Sequence, residues 1–429
     1  MTDRSAAIFG NKIDDRTYAK ACRSKANFAK RFAHDPNAVC HLALADVPAV
    51  GEAFNLKQLV PAFDNTQTID FSAITDPVVI GNIRMGFGHY RIAMAMASAA
   101  HALGYTPLWF DLMGFPETTC TKLIAHQNNL YSMGSRLSQR SWLFNKLYWE
   151  PLNSEGFRKL SYNASDQKAA ELMVTPYGDL PHDIPFIGTH VWPAQAALHA
   201  GLENVVNAIP DNWPMALHLA EGAKHAVQTP SAYLGYKALR GMDKRRQLSP
   251  MPEGSLFYTG HFIDHELVLN IPFDCARRTD RAAAGGPIRY LLTVGGAGAQ
   301  QELFAGIIEH LVPYVEAGKA ALMINVGDHG NIWGRLKEQI PQLKGATEHF
   351  NNFERATAFA DAALDGTVEG VHAFGDRDIF AAVYLTNLLM RVSDLLVTKP
   401  SELAFYPVPK LMIRRVGGHE AWGAIRAAE

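Results

Sequence analysis

The sequence predicts an α/β protein made of two Rossmann-like halves, each a parallel sheet wrapped by helices. Three observations predict it. At residues 78–105 an apolar strand-like run, a glycine-bearing turn and an alanine-rich helical run follow one another ("VVIGNIRMGFGHYRIAMAMASAAHALGY"). The same grammar restarts near residue 288 with "IRYLLTVGGAGAQQELFAGIIEHLVPYVEAGKAALMINVGD". The chain has 429 residues, 48% of them hydrophobic, enough for two cores and too many for one. Strands joined through helices by short turns run parallel, which gives the sheet type.

In chain order, residues 1–75 read as an N-terminal extension whose "RTYAKACRSKANFAKRFAHD" has helical spacing and a basic face. The first half spans 76–275. It opens with the strand "PVVIGNI", continues in a helix that ends at Gly104, and returns in the strand "TPLWFDL". The polar, Gly- and Ala-containing stretch "DCARRTDRAAAGGP" reads as a join. The second half, 286–429, adds "GVHAF", the helix-like "DIFAAVYLTNLLMRVS", the strand "DLLVTK" and a final "PKLMIRR".

Bulk composition excludes several classes. A net charge of -2 gives no reason to expect nucleic acid. Cys22, Cys40, Cys120 and Cys275 are scattered without C-x-x-C spacing, against a structural zinc site or a disulfide framework and in keeping with a reducing cytoplasm. No run of about 18 apolar residues occurs, and the N-terminus has no apolar targeting core.

Both glycine-rich turns have the chemistry of an anion cradle. Glycine admits backbone close to a ligand, and the first helical N–H groups and the helix dipole favour negative charge. In the first turn the residues are Gly86, Gly88 and His89; in the second, Gly295, Gly296, Gly298 and Ala299. Neither ends in Gly-Lys-Ser/Thr, and the only acidic residue near dinucleotide spacing, Asp111, is poorly placed for that role. His89 enters its helix from the turn, where a neutral imidazole serves as general base or donor to a substrate oxygen, or else merely caps or fills. Asp376 and Asp378 in "GDRDIF" fit a divalent cation less well than a cap on the following helix. Asp211 in "IPDNWP" and Glu402 in "KPSELAFYPVPK" stand in loops just beyond apolar runs, where parallel sheets bind ligands. In "SRLSQRSWLFNKLYWEPL", residues 135–152, basic and aromatic side chains interleave. That suits peripheral contact with a membrane interface or a lipid acceptor, or an aromatic face packed on the sheet.

The order of these pieces resembles the GT-B glycosyltransferases, and within them the group containing monogalactosyldiacylglycerol synthase and the lipid II N-acetylglucosaminyltransferase. "GFGHYRIAMAMASAAHALGY", "NVVNAIPDNWPMALHLAEGAKHAVQTPSAYLGYKAL", "TVGGAGAQQELF", "GVHAFGDRDIFAAVYLTNLLMRVSDLLVTKPSE" and "SELAFYPVPKLMIRRVGGHEAWGA" carry the resemblance. Together they cover about 76–424 in the group's order. The resemblance implies two domains facing across a cleft and inverting, metal-independent transfer from a nucleotide-diphosphate sugar, a UDP-sugar, to an acceptor hydroxyl, with a lipid among the acceptors. It implies no bound cofactor. It would set Gly295, Gly296, Gly298 and Ala299 on the donor diphosphate, Phe374 and its neighbours against the nucleobase and Glu402 on the ribose. His419 and Glu420 would meet the transferred sugar, and His89 would line the cleft. The sequence departs from the group's pattern in the short "TKPSE" and in His419, Glu420 and Gly423, which replace the sugar-contacting Gln and Asn. A nucleotide-sugar epimerase or hydrolase, or a non-catalytic nucleotide-sugar-binding protein, is the alternative. His89 and Asp211 are the candidate bases.

Overall fold

A computed structural model describes residues 3–63, 68–84, 86–294, 301–400, 402–413 and 420–427. The chain begins with a two-stranded ribbon, β1 (Ala7–Ile8) and β2 (Asn11–Lys12), and helix α1 (Asp15–Arg31), capped by the Asp14 side chain on Thr17 N. There follow β3 (Leu42–Asp46), α2 (Gly51–Phe54), β4 (Lys57–Pro61), β5 (Pro77–Asn82), α3 (Phe87–Ala102), β6 (Thr106–Asp111), α4 (Thr119–Arg140) and α5 (Trp142–Phe144). The first domain closes with α6 (Leu160–Ala170), β7 (Phe186–Gly188), α7 (Val191–His199), β8 (Val205–Ala208), β9 (Lys224–Val227), α8 (Pro230–Lys237) and β10 (Leu256–Tyr258).

These strands make one eight-stranded sheet in the order β10-β9-β8-β7-β5-β6-β4-β3, parallel throughout except for the β3–β4 edge pair. The central strand β5 is buried along nearly its whole length, so its "VVIGN" is a continuous apolar run rather than an alternation. The segment expected to be an N-terminal extension supplies β3 and β4 to this sheet, and α1 lies along α6.

Helix α9 (His265–Ala283) occupies the stretch read as a join. Its polar sequence is that of an amphipathic helix: Leu267 and Asp274 are buried, and Arg278 donates to the carbonyls of Met390 and Ser393 at a distant helix end. A cation at a helix C-terminus satisfies orphan carbonyls and the dipole together, and local composition cannot show it.

The second domain runs β11 (Ile288–Thr293), α10 (Gln301–Glu316), β12 (Ala320–Asn325), α11 (Gly330–Gln339), β13 (Thr347–Phe350), α12 (Phe353–Asp365), β14 (Gly370–Gly375), α13 (Ile379–Val392), β15 (Leu395–Thr398), β16 (Lys410–Met412) and α14 (Glu420–Ala427). Its six strands are all parallel, in the order β13-β14-β12-β11-β15-β16. Two parallel-sheet α/β domains facing one another constitute the GT-B architecture expected from the sequence. They are joined by core: α3, whose small side chains permit burial on most sides, packs against α13, and Trp109 meets Phe380 edge-on at 4.8 Å. Phe54 meets Tyr384 at 5.2 Å in the same cluster. Each such aromatic pair adds about 1 kcal/mol beyond its buried area.

One buried charge site makes a pH prediction. Asp166 on α6 is buried, and burial, opposed in part by the Trp192 side chain, pushes its pKa from 3.8 to about 8. Because the folded value is raised, its contribution to stability is fully present below the unfolded value and is lost as pH rises from about 4 through about 8. Asp166→Asn should remove that loss, so its urea midpoint should exceed that of the parent near neutral pH and above, by an amount equivalent to a few kcal/mol. The advantage should vanish near pH 4. A constant difference at all pH values would contradict the assignment.

Candidate functional site

The carboxyl ends of β5, β7 and β8 bring together the groups that matter in the first domain. After β5 the chain passes buried Ile83 and exposed Arg84 into Gly86, whose φ of 97° suits glycine and opens α3. Gly88 is the second residue of that helix and His89 the third. The half-buried His89 side chain turns back to the end of β7, where its Nδ1 lies 2.9 Å from the Thr189 carbonyl oxygen. A carbonyl only accepts, so Nδ1 carries a hydrogen, and in the neutral ring the lone pair is on Nε2.

His190 caps α7 by accepting from Trp192 N at 3.2 Å through Nδ1, which puts its own hydrogen on Nε2. Its ring meets His89 edge-on with centroids 4.8 Å apart. Burial, and then the neighbouring His89 and His218, drive the His190 pKa well below the usual histidine value. It is a neutral wall behind His89. Beyond β8, the buried His218 holds the Asp211 carboxylate at 3.0 Å through Nε2. The Asp211 charge acts on His190 in the opposite direction, favouring its protonated form.

The second domain meets this edge with the turn after β12. Asn325 fixes that turn, accepting from Gly327 N at 2.9 Å and donating to Thr386 Oγ1 at 3.0 Å. Arg84 then reaches Asp328 at 2.6 Å across the boundary, and the Phe87 ring lies 2.7 Å from where a Cβ on Gly327 would stand. On the other side Trp213, in the Asp211 loop, stacks on Trp422 of α14 at 5.3 Å. The carboxyl ends of both sheets therefore share one boundary, the place where ligands bind parallel α/β sheets.

The remaining expectations divide three ways. Gly86, Gly88, His89 and Asp211 lie on this boundary. Phe374 is a correction: its side chain is fully buried, stacked on His349 with centroids 4.6 Å apart, so the ring is core and does not face a nucleobase. An aromatic at a strand end reads the same in sequence whichever way it points. Gly295, Gly296, Gly298, Ala299 and His419 lie outside the described residues; so do the side chains of Glu402, which opens a 3-10 turn, and Glu420, the first residue of α14. Asp378 caps α13 through Phe380 N and Ala381 N, as expected, and Asp111 accepts from Tyr90 and from Met113 N. Sequence reasoning missed His190, His218 and the Arg84–Asp328 pair. The one available signal was a Thr-His placed where a short strand enters a helix. Among the described residues no three His, Cys, Asp or Glu side chains gather as metal ligands.

No curated protein matches the chain. Among solved structures the chain is similar to UDP-GlcNAc 2-epimerase from Neisseria meningitidis bound to UDP-GlcNAc, at 12% identity over 82% of this chain and 86% of that one, with a TM-score of 0.38. It is also similar to α,α-trehalose 6-phosphate synthase from Burkholderia multivorans, at 12% identity over 83% and 91%, with a TM-score of 0.36. Residues 251–429 match the family model described as Domain of unknown function (DUF6938). Residues 7–238, more than half of the chain, match Domain of unknown function (DUF6937), and the chain belongs to that family.

Proposed function

We propose that the protein transfers a sugar from a nucleotide-diphosphate sugar, a UDP-sugar, to an acceptor hydroxyl, inverting the anomeric carbon without a metal ion. The observation that carries this reading is His89, held in one tautomer by the Thr189 carbonyl at the boundary where the carboxyl ends of two parallel sheets meet. His89 Nε2 takes the acceptor proton as the acceptor oxygen bonds to the anomeric carbon. The bond from that carbon to the diphosphate breaks on the opposite face, and its electron pair leaves with the nucleotide. Gly295, Gly296, Gly298 and Ala299 offer backbone amides to the departing charge, Glu402 holds the ribose, and His419 and Glu420 hold the sugar. Asp211, oriented by His218, binds an acceptor hydroxyl or competes with His89 as base. On this reading residues 76–275 serve the acceptor and 286–429 the donor.

Thermal shift with a panel of nucleoside diphosphates and nucleotide-sugars tests the donor. A ligand at 100 times its Kd adds about 2.7 kcal/mol to native stability, so UDP and its sugars should raise the melting temperature clearly. If no nucleoside diphosphate does so, the reading falls.

A further inference from the structure

The last turns of α4, with α5 and the π-helical turns Asn145–Trp149 and Leu152–Gly156, form a helical hairpin. It is firmly built. A Cβ on Gly134 would sit 2.3 Å from the Trp149 ring, so glycine lets that ring lie directly on α4, and Tyr131 packs on Trp149 at 5.1 Å. π-Helical turns are rare and cluster at functional sites.

With Trp149 turned inward, six of the hairpin's apolar side chains stand exposed to solvent. Trp142 is 70% exposed and Leu147 68%, with Leu143, Tyr148, Met133 and Leu137 exposed beside them. The aromatic face is therefore not packed on the sheet. From Leu130 to Trp149 there is no acidic residue, while Arg136, Arg140 and Lys146 are exposed, Lys146 over the Trp142 ring at 4.8 Å. An apolar tip flanked by these three cations would set arginine against arginine if two copies met face to face. It complements a surface that is apolar within and anionic at its rim. No described helix is long and apolar enough to cross a membrane.

We propose that this hairpin docks the protein on an anionic lipid bilayer, with Trp142, Leu143 and Leu147 at the headgroup boundary and Arg136, Arg140 and Lys146 over acidic headgroups. The inference does not depend on sugar transfer and can fail or hold alone. The test is sedimentation of the full chain with phosphatidylcholine vesicles, with and without phosphatidylserine, alongside sedimentation velocity without lipid. The full chain should pellet with anionic vesicles and be released by salt. Neutralising each basic residue to Gln should weaken binding about 5-fold. Trp142→Ser combined with Leu147→Ser should abolish it, and all four variants should keep the parent melting temperature because the side chains replaced are exposed. Three results overturn the proposal: no pelleting with either vesicle, equal pelleting of parent and variants, or a lipid-free dimer that Trp142→Ser dissociates.

Discussion

His89→Asn should lower the turnover of sugar transfer by roughly 10²- to 10⁴-fold, the range expected for loss of a positioned general base. Asparagine is the informative replacement. Its amide nitrogen stands where the imidazole Nδ1 does and can donate to the Thr189 carbonyl, so the half-buried side chain keeps its anchor while the proton acceptor at Nε2 disappears. The melting temperature and the shift produced by UDP should therefore stay close to the parent values, with the loss confined to kcat. His190 sharpens the expectation. It is neutral and already committed to the Trp192 amide, so it cannot take over the proton. Asp211→Asn is the control. Its amide oxygen still accepts from His218, and a large loss there with His89→Asn near normal would make the carboxylate the base. Parent-like turnover in both variants would remove this edge of the sheet from the chemistry.

Much of the fold was legible because it depends on local order. "PVVIGNI" reads as a buried parallel strand from its unbroken apolar run, and the glycine after it marks the turn into α3. What escaped has a non-local cause. "LALAD" and "KQLVP" are short enough to read as irregular, and only pairing in antiparallel register makes them the edge of the first sheet. "DCARRTDR" has a linker's composition until Arg278 meets the carbonyls of Met390 and Ser393, more than a hundred residues away. The site divides in the same way. His89 stands beside its own glycine turn and was visible, whereas His190 and His218 approach it only because β5, β7 and β8 lie side by side. No spacing in one sequence encodes that adjacency.

Phe374 carries the clearest consequence of such a reversal. If its ring faced a nucleobase, Phe374→Ala would weaken UDP binding and leave stability alone. The structure requires the opposite. The ring lies parallel to His349 at 4.6 Å, 7° apart, and meets Phe359 at 5.3 Å, with no exposed surface. Truncation should leave a cavity and cost about 3–5 kcal/mol, seen as a lower urea midpoint at constant slope. Phe374→Leu, which refills most of the volume, should cost much less. UDP affinity per folded molecule should not move. A second readout is independent of stability: burial, aided by His372 and Arg355, holds the His349 pKa down at about 4. Opening a cavity against that ring admits water and relieves the desolvation, so the His349 value in Phe374→Ala should rise toward the ordinary 6.5, as NMR titration would record. An unchanged urea midpoint together with a lost UDP shift would put the ring back in the binding site.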